Sequence, residues 1–254
     1  MIKIKSAHEI ELMREAGRIT ALSRVAAVRA VKPGVTTGEI NQAVHEAILA
    51  EGAKPTFLGY GGFPASACVS LNDEVIHGIP SFKRKVHEGD IVKLDVGAMK
   101  NGFTGDCAIS IPCGEISEEA RKLIEVTRQS FYEGIRYAKE GCRLSDISHA
   151  IQEYVESFGY SVVRDYVGHG VGAQLHESPE IPNFGPAGHG VRLRRGMTLA
   201  IEPMVNIGGY DVKVMDNGWT VKTRDGSLSS HYENTILITD GEPEILTSVD
   251  GEVL

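Results

Sequence analysis

IVKLDVGAMKNGFTGDCAIS, residues 91 to 110, consists of two apolar runs joined at Asn101-Gly102. Asn-Gly between alternating apolar residues is the signature of a two-residue type I′ hairpin turn. With those two residues at the centre of the turn, Lys100 faces Phe103 and Gly97 faces Asp106. Side chains alternate along a strand, so Asp95 lies on the same face as Gly97, diagonal to Asp106. Val92, Leu94, Val96 and Cys107 occupy the other face, which is expected to be core. Two carboxylates this close repel and lose hydration unless something positive sits between them. A metal ion, a buried Lys or Arg, or a shared proton would serve. The alternative is a hairpin at a sheet edge with one wet face.

Composition narrows the field outside the hairpin. The chain has 254 residues, 42% hydrophobic and 24% charged, which excludes disordered and collagen-like classes and is enough for one large core. A net charge of -8 and a pI near 5.6 provide no basic field for a phosphate backbone, so nucleic acid is not an expected partner. No run approaches the ~20 apolar residues of a membrane helix, and the opening MIKIKSAHEIELMREAG breaks into charge before a signal core could form. A cytoplasmic location follows as the expectation. Cys68, Cys107, Cys113 and Cys142 make no C-x-x-C pair and are expected to be reduced thiols.

Ser6-x-x-Glu9 and Thr36-x-x-Glu39 are capping boxes that open helices running to about residue 31 and to Gly52. Further helices are expected from Ser117 to before Gly141 and over about 145–158. Strand-like runs cover 66–71, the hairpin at 91–111, 161–167, 197–207, 210–223 and 231–239. Without strict βαβ alternation, the class is α+β. KPGVTTGEINQAVHEAILAEGA, from Lys32, aligns without gaps on KEGCRLSDISHAIQEYVESFGY, from Lys139, at an offset of 107 residues. The same offset places Asp95 opposite Glu202. The expected architecture is therefore one catalytic domain, 1–254, of two similar halves, roughly 1–112 and 113–254, with a site between them.

Other segments add ligand chemistry. His169 stands between glycines in VGHGVGAQLHESP, Glu202 in the apolar run LAIEPMV, and Glu233 in HYENTILIT. Singly, His169 could be a backbone-bonded histidine, Glu202 half of an ion pair with Arg192, Arg194 or Arg195, and Glu233 a sheet-edge acid. Together with Asp95 and Asp106 they form four carboxylates and one imidazole, a donor set suited to Mn, Fe(II), Co or Zn and larger than one ion needs. Two bridged ions would use them all. No phosphate-binding loop, dinucleotide fingerprint or G-x-S-x-G is present.

The motifs NDEVIHGIP, KLDVGA, GFTGDCA, GHGVG, LHESP, IEPM and HYENT, spread over essentially the whole chain, closely resemble those of the type I methionine aminopeptidases, which are pita-bread metallohydrolases. The resemblance implies a pita-bread fold: pseudo-twofold halves with an antiparallel sheet flanked by helices. It implies a dinuclear centre in which Asp106 and Glu233 bridge, Asp95 holds one ion, and His169 with Glu202 holds the other. The implied reaction removes the N-terminal methionine of nascent polypeptides when the second residue is small, through a metal-bound hydroxide. Glu202 would relay the proton, His176 would bond the developing oxyanion and His77 would contact the scissile amide nitrogen. The methionine pocket falls on Phe57, Tyr60, Phe63, Cys68, Leu175 and Trp219; Phe57, Phe63 and Leu175 stand where Cys, Tyr and Phe are common in the family, and soft aromatic walls suit a thioether. Asn72 and Ser229 fall where some members hold a monovalent cation through the backbone. The implied partner is the N-terminal peptide of a nascent chain, met by a monomer. No N-terminal ribosome-docking extension is present, so any ribosome contact is expected to be transient. The competing functions are an X-Pro peptidase of the same fold and a binding protein that keeps the shell without the reaction.

Overall fold

The computed structural model describes residues 2–249. Its helices begin where the capping boxes place them. In α1 (Ala7–Ala30) the Ser6 hydroxyl accepts from Glu9 N at 3.3 Å while Glu9 Oε2 accepts from Ser6 N at 2.7 Å. Thr36 and Glu39 repeat the exchange at the start of α2 (Thr37–Ala50). Ser117 caps α3 (Glu118–Ile135) by accepting from Ala120 N at 3.2 Å, and α4 (Leu144–Glu156) completes the set. Helix α3 stops short of the expected end before Gly141 because Tyr137 and Ala138 bond back in tight turns. Among the described residues, no helix is long and apolar enough to cross a membrane.

The hairpin forms as its turn chemistry requires. Ile91–Lys100 and Phe103–Pro112 pair throughout, with Lys100 opposite Phe103 and Gly97 opposite Asp106. Asn101 and Gly102 adopt φ of 51° and 81°, the left-handed pair a type I′ turn demands. Val92, Leu94, Val96 and Cys107 are buried. Helix α1 lies across this hairpin at close range: a Cβ on Gly105 would meet Thr20 Oγ1 at 2.7 Å and Gly17 Cα at 2.9 Å.

The hairpin sits inside a nine-stranded sheet rather than at its edge. The order is Lys54–Pro55, the Asp95 strand, the Asp106 strand, Glu233–Leu237, Thr198–Ile201, Gly168–Gly170 and Glu177–Ile181, with all pairs antiparallel. Ala67–Leu71 also pairs with the Asp95 strand, and Glu244–Ile245 with Glu233–Leu237. At the centre Asp106 and Glu233 occupy adjoining strands, flanked by the strands of Asp95 and of residues 198–201.

Three expected strands are broken. The run 197–207 divides into Thr198–Ile201 in the large sheet and Met204–Asn206 in a three-stranded sheet with Ser161–Val162 and Ser229–His231. Glu202-Pro203 is the joint. Residues 231–239 divide likewise at Tyr232, whose N–H donates to Pro203 O at 3.2 Å. A further small sheet joins Glu74–Ile76, Val212–Val214 and Val221–Thr223, so 210–223 is a hairpin rather than one strand. The apolar core spreads between the large sheet and the four helices, with Ile19, Ile40, Leu94, Phe131, Ile147, Ile151 and Leu199 among its buried members.

Candidate active site

Asp95, Asp106, His169, Glu202 and Glu233 line one cleft, together with His77 and His176. Alternation along 198–202 puts Glu202 on the face opposite Leu199 and Ile201, and its carbonyl accepts from Asn183 Nδ2 at 3.1 Å. Asp106 is fixed from both sides of its own peptide, its N–H donating to Thr235 Oγ1 at 3.0 Å and its carbonyl accepting from the same hydroxyl at 2.9 Å. That exchange locks the Asp106 strand against the strand of Glu233.

His169 presents one defined nitrogen. Its Nδ1 lies 3.0 Å from Gly170 O, which can only accept, so Nδ1 carries the proton and the Nε2 lone pair faces the acids. Nε2 stands 3.5 Å from Glu202 Oε1 and 3.7 Å from Asp106 Oδ2. Burial, with help from His176, lowers the His169 pKa to about 4, so at neutral pH it is an uncharged donor. Among the described residues no Lys or Arg pairs with Glu202; Arg192 instead bonds Gly141 O at 2.8 Å and Arg195 pairs with Asp240 at 3.5 Å.

The acids are in electrostatic distress. Burial pushes Asp95 up to about 7, and burial plus the neighbouring acids pushes Asp106, Glu202 and Glu233 well above the carboxylate range. The Cys68 thiol hydrogen-bonds Asp95 and relieves it in part; the thiol itself is driven upward by burial and by the Asp95 charge. Asp95 Oδ1, Asp106 Oδ1, Glu233 Oε1 and His231 Nε2 are buried without a hydrogen-bond partner. Leaving several charged-group oxygens bare in an apolar interior costs several kcal/mol each. Among the described residues no Lys or Arg pairs with these acids, whose ion-pair-range contacts are to histidines. Orphaned oxygens converging with a neutral imidazole are what divalent ions take as ligands, so these residues fit such a centre.

The remaining expected residues also arrive. Phe57, Phe63, Cys68 and Leu175 form a buried apolar cluster with Trp219 packed against it, and all five line the cleft with Tyr60. Phe63 and Trp219 meet edge to face, ring centres 5.1 Å apart. Gly97 makes room for the wall: a Cβ there would lie 2.7 Å from Phe57 Cε1. His77, in the left-handed region at φ 58°, packs edge-on to Tyr166 and Trp219, and burial lowers its pKa to about 4. His176 Nδ1 lies 2.7 Å from Tyr60 Oη, and its pKa is also lowered by burial.

Two features depart from the sequence reading. The carbonyls of Asn72 and Ser229, expected to face a monovalent cation, each accept from Lys93 Nζ at 2.9 Å, so a side chain of the protein holds that place. His231 was missed altogether. Its ring is buried, its pKa is lowered to about 3 by burial, and its Nε2 lies 3.7 Å from Glu233 Oε2. The available signal was spacing: His231 stands two residues before Glu233, and alternation puts both on one side. Ile76, Tyr166 and Val167 line the cleft without having been singled out, whereas His231 lies behind its lining, within reach of Glu202 and Glu233.

The model of metallopeptidase family M24 matches residues 11–240. The chain belongs to that family. A methionine aminopeptidase of Clostridium acetobutylicum is 58% identical over 247 residues, covering 97% of this chain and 99% of the relative. Among solved structures, the methionine aminopeptidase of Thermotoga maritima superposes with a TM-score of 0.97 at 48% identity, covering 98% of this chain and all of that one. A prolidase from Pyrococcus furiosus aligns with a TM-score of 0.78 at 25% identity, and the alignment covers 66% of that chain. Within M24 the chain is thus placed among the methionine aminopeptidases, metalloexopeptidases with the pita-bread fold.

Proposed function

We propose that this M24 chain removes the N-terminal methionine from nascent polypeptides whose second residue is small, using two divalent ions held by Asp95, Asp106, His169, Glu202 and Glu233. The observation that carries the reading is one cleft in which partnerless buried carboxylate oxygens adjoin an apolar, thioether-sized wall. When bound, such ions supply Lewis acidity toward the methionyl carbonyl, a docking charge for the free α-amine, and a lowered pKa for the attacking water.

The chain's own residues do the rest. Phe57, Phe63, Leu175 and Trp219 take the methionine side chain and exclude water beside the reacting carbonyl. Glu202 takes the proton of the attacking water and returns it to the leaving amide nitrogen. His176 donates from Nε2 to the carbonyl oxygen as charge develops there; the tautomer this needs is the one in which Nδ1 accepts from the Tyr60 hydroxyl. His77, neutral at working pH, hydrogen-bonds the amide nitrogen from the opposite side of the pocket. Every group named comes from one chain, so we read 1–254 as a single catalytic unit of two similar halves, working as a monomer in the cytoplasm. Metal-reconstituted protein is expected to cleave Met-Ala-Ser and leave a Gly-Pro dipeptide intact. Cleavage of Gly-Pro in preference would favour the prolidase reading, and inertness toward both would leave a binding protein.

A further inference from the structure

His231 has no place in the five-ligand set, yet its surroundings are those of a ligand. Its ring is 2% exposed and its Nε2 has no hydrogen-bond partner. The backbone on both sides of the residue is fixed: Ser110 Oγ donates to His231 O and accepts from His231 N, each at 2.9 Å. That exchange and the strand pairing of His231 with Met204 fix the backbone from which the ring projects. Its distance to Glu233 Oε2, 3.7 Å, is too long for a hydrogen bond. It equals the separation of His169 Nε2 from Asp106 Oδ2, two members of the ligand set. Donor atoms each ~2.1 Å from a common ion stand roughly 3 to 3.7 Å apart for angles between about 90° and 120°.

The donors also sort into two groups. Asp106, His169 and Glu233 offer atoms all within 4.8 Å of one another, and so do Glu202, His231 and Glu233. Glu233 belongs to both, as a bridging acid would.

We propose that His231 is a sixth protein ligand, giving the ion held by Glu202 and Glu233 an imidazole from the second-half hinge. The proposal rests on the metal-centre reading above. Its chemical consequence is selectivity: a centre with two imidazoles favours Zn, Co or Fe(II) over oxygen-preferring Mn or Mg more strongly than a centre with one.

X-ray absorption at the metal edge of protein loaded with two Co(II) or Zn(II) per chain counts imidazoles and requires no variant. The expected result is two imidazoles for two ions; a fit with one imidazole per pair of ions overturns the proposal. Equilibrium dialysis of His231→Asn supplies a second readout, expected to show one of the two sites weakened at least about tenfold while Asp95→Asn weakens the other. Unchanged binding of both ions in folded His231→Asn would place the ring outside the coordination sphere. If unaltered protein binds no ion, the metal-centre reading fails and takes this proposal with it, which is distinguishable from failure of the His231 assignment alone.

Discussion

Asp95 and Asp106 stand on ten-residue strands whose pairing runs unbroken from Ile91↔Pro112 to Lys100↔Phe103. His169, Glu202 and Glu233 stand in or beside strands of three to five residues, two of them next to joints where the chain changes sheets. The first half thus holds its acids by local geometry set by a turn and an alternation. The second half holds its ligands by long-range pairing, through Asn183 to the Glu202 carbonyl, Thr235 to Asp106, and Tyr232 to Pro203. In the proposed centre, bound ions would join the hairpin to the jointed strands that face it.

Substitutions that remove the joining element have the largest expected effect. Glu233→Ala deletes a carboxylate shared between both donor groups, and turnover is expected to fall by more than about a thousandfold together with loss of both ions in dialysis. Retention of two tightly held ions would break the picture of Glu233 as the acid common to the two halves. His77→Ala touches neither half's ligands; kcat is expected to fall roughly a hundredfold with both ions retained. Unchanged turnover would remove His77 from the proposed chemistry.

Ion removal tests the contrast between rigid and jointed halves directly. In chelator-treated protein, amides of 198–206 and 229–235 are expected to exchange with deuterium faster than in the loaded form, while 91–112 changes little. The same protein has a definite pH response. Asp95, Asp106, Glu202 and Glu233 bind protons more tightly folded than unfolded, so above the unfolded carboxylate range the native state holds more protons and stability falls as pH rises. The midpoint of thermal unfolding is therefore expected to drop between pH 5 and pH 7, and divalent ions to flatten that slope. The smallest effect lies in the pocket wall: Leu175→Ala enlarges it, and KM for methionyl peptides is expected to rise several-fold with kcat nearly unchanged.

The contrast also explains what could be read before any coordinates. Asn101-Gly102 and the flanking alternation specify register, so the shared face of Asp95 and Asp106 followed from residues alone. Capping boxes did the same for the starts of α1 and α2. In the second half the alternation is interrupted at Glu202-Pro203 and at Tyr232, and a pattern two to four residues long cannot say which sheet it joins. The candidate ligands there came from motif resemblance, with Glu202 also marked by the 107-residue offset, rather than from periodicity. His231 opens the HYENT motif, but the resemblance gives that position no role. Nothing local to Lys93 shows that its amine reaches the carbonyls of Asn72 and Ser229, 21 and 136 residues away.

The central claim is that ions from solution neutralise the crowded acids between the halves. A crystal grown with Mn or Co and measured on both sides of the metal absorption edge tests it most directly. The account predicts two anomalous peaks, both within bonding distance of Glu233 and between the Asp95–Asp106 hairpin and the His169–Glu202 side. A cleft free of anomalous density at saturating ion, with the acids protonated and hydrogen-bonded to one another, would contradict it.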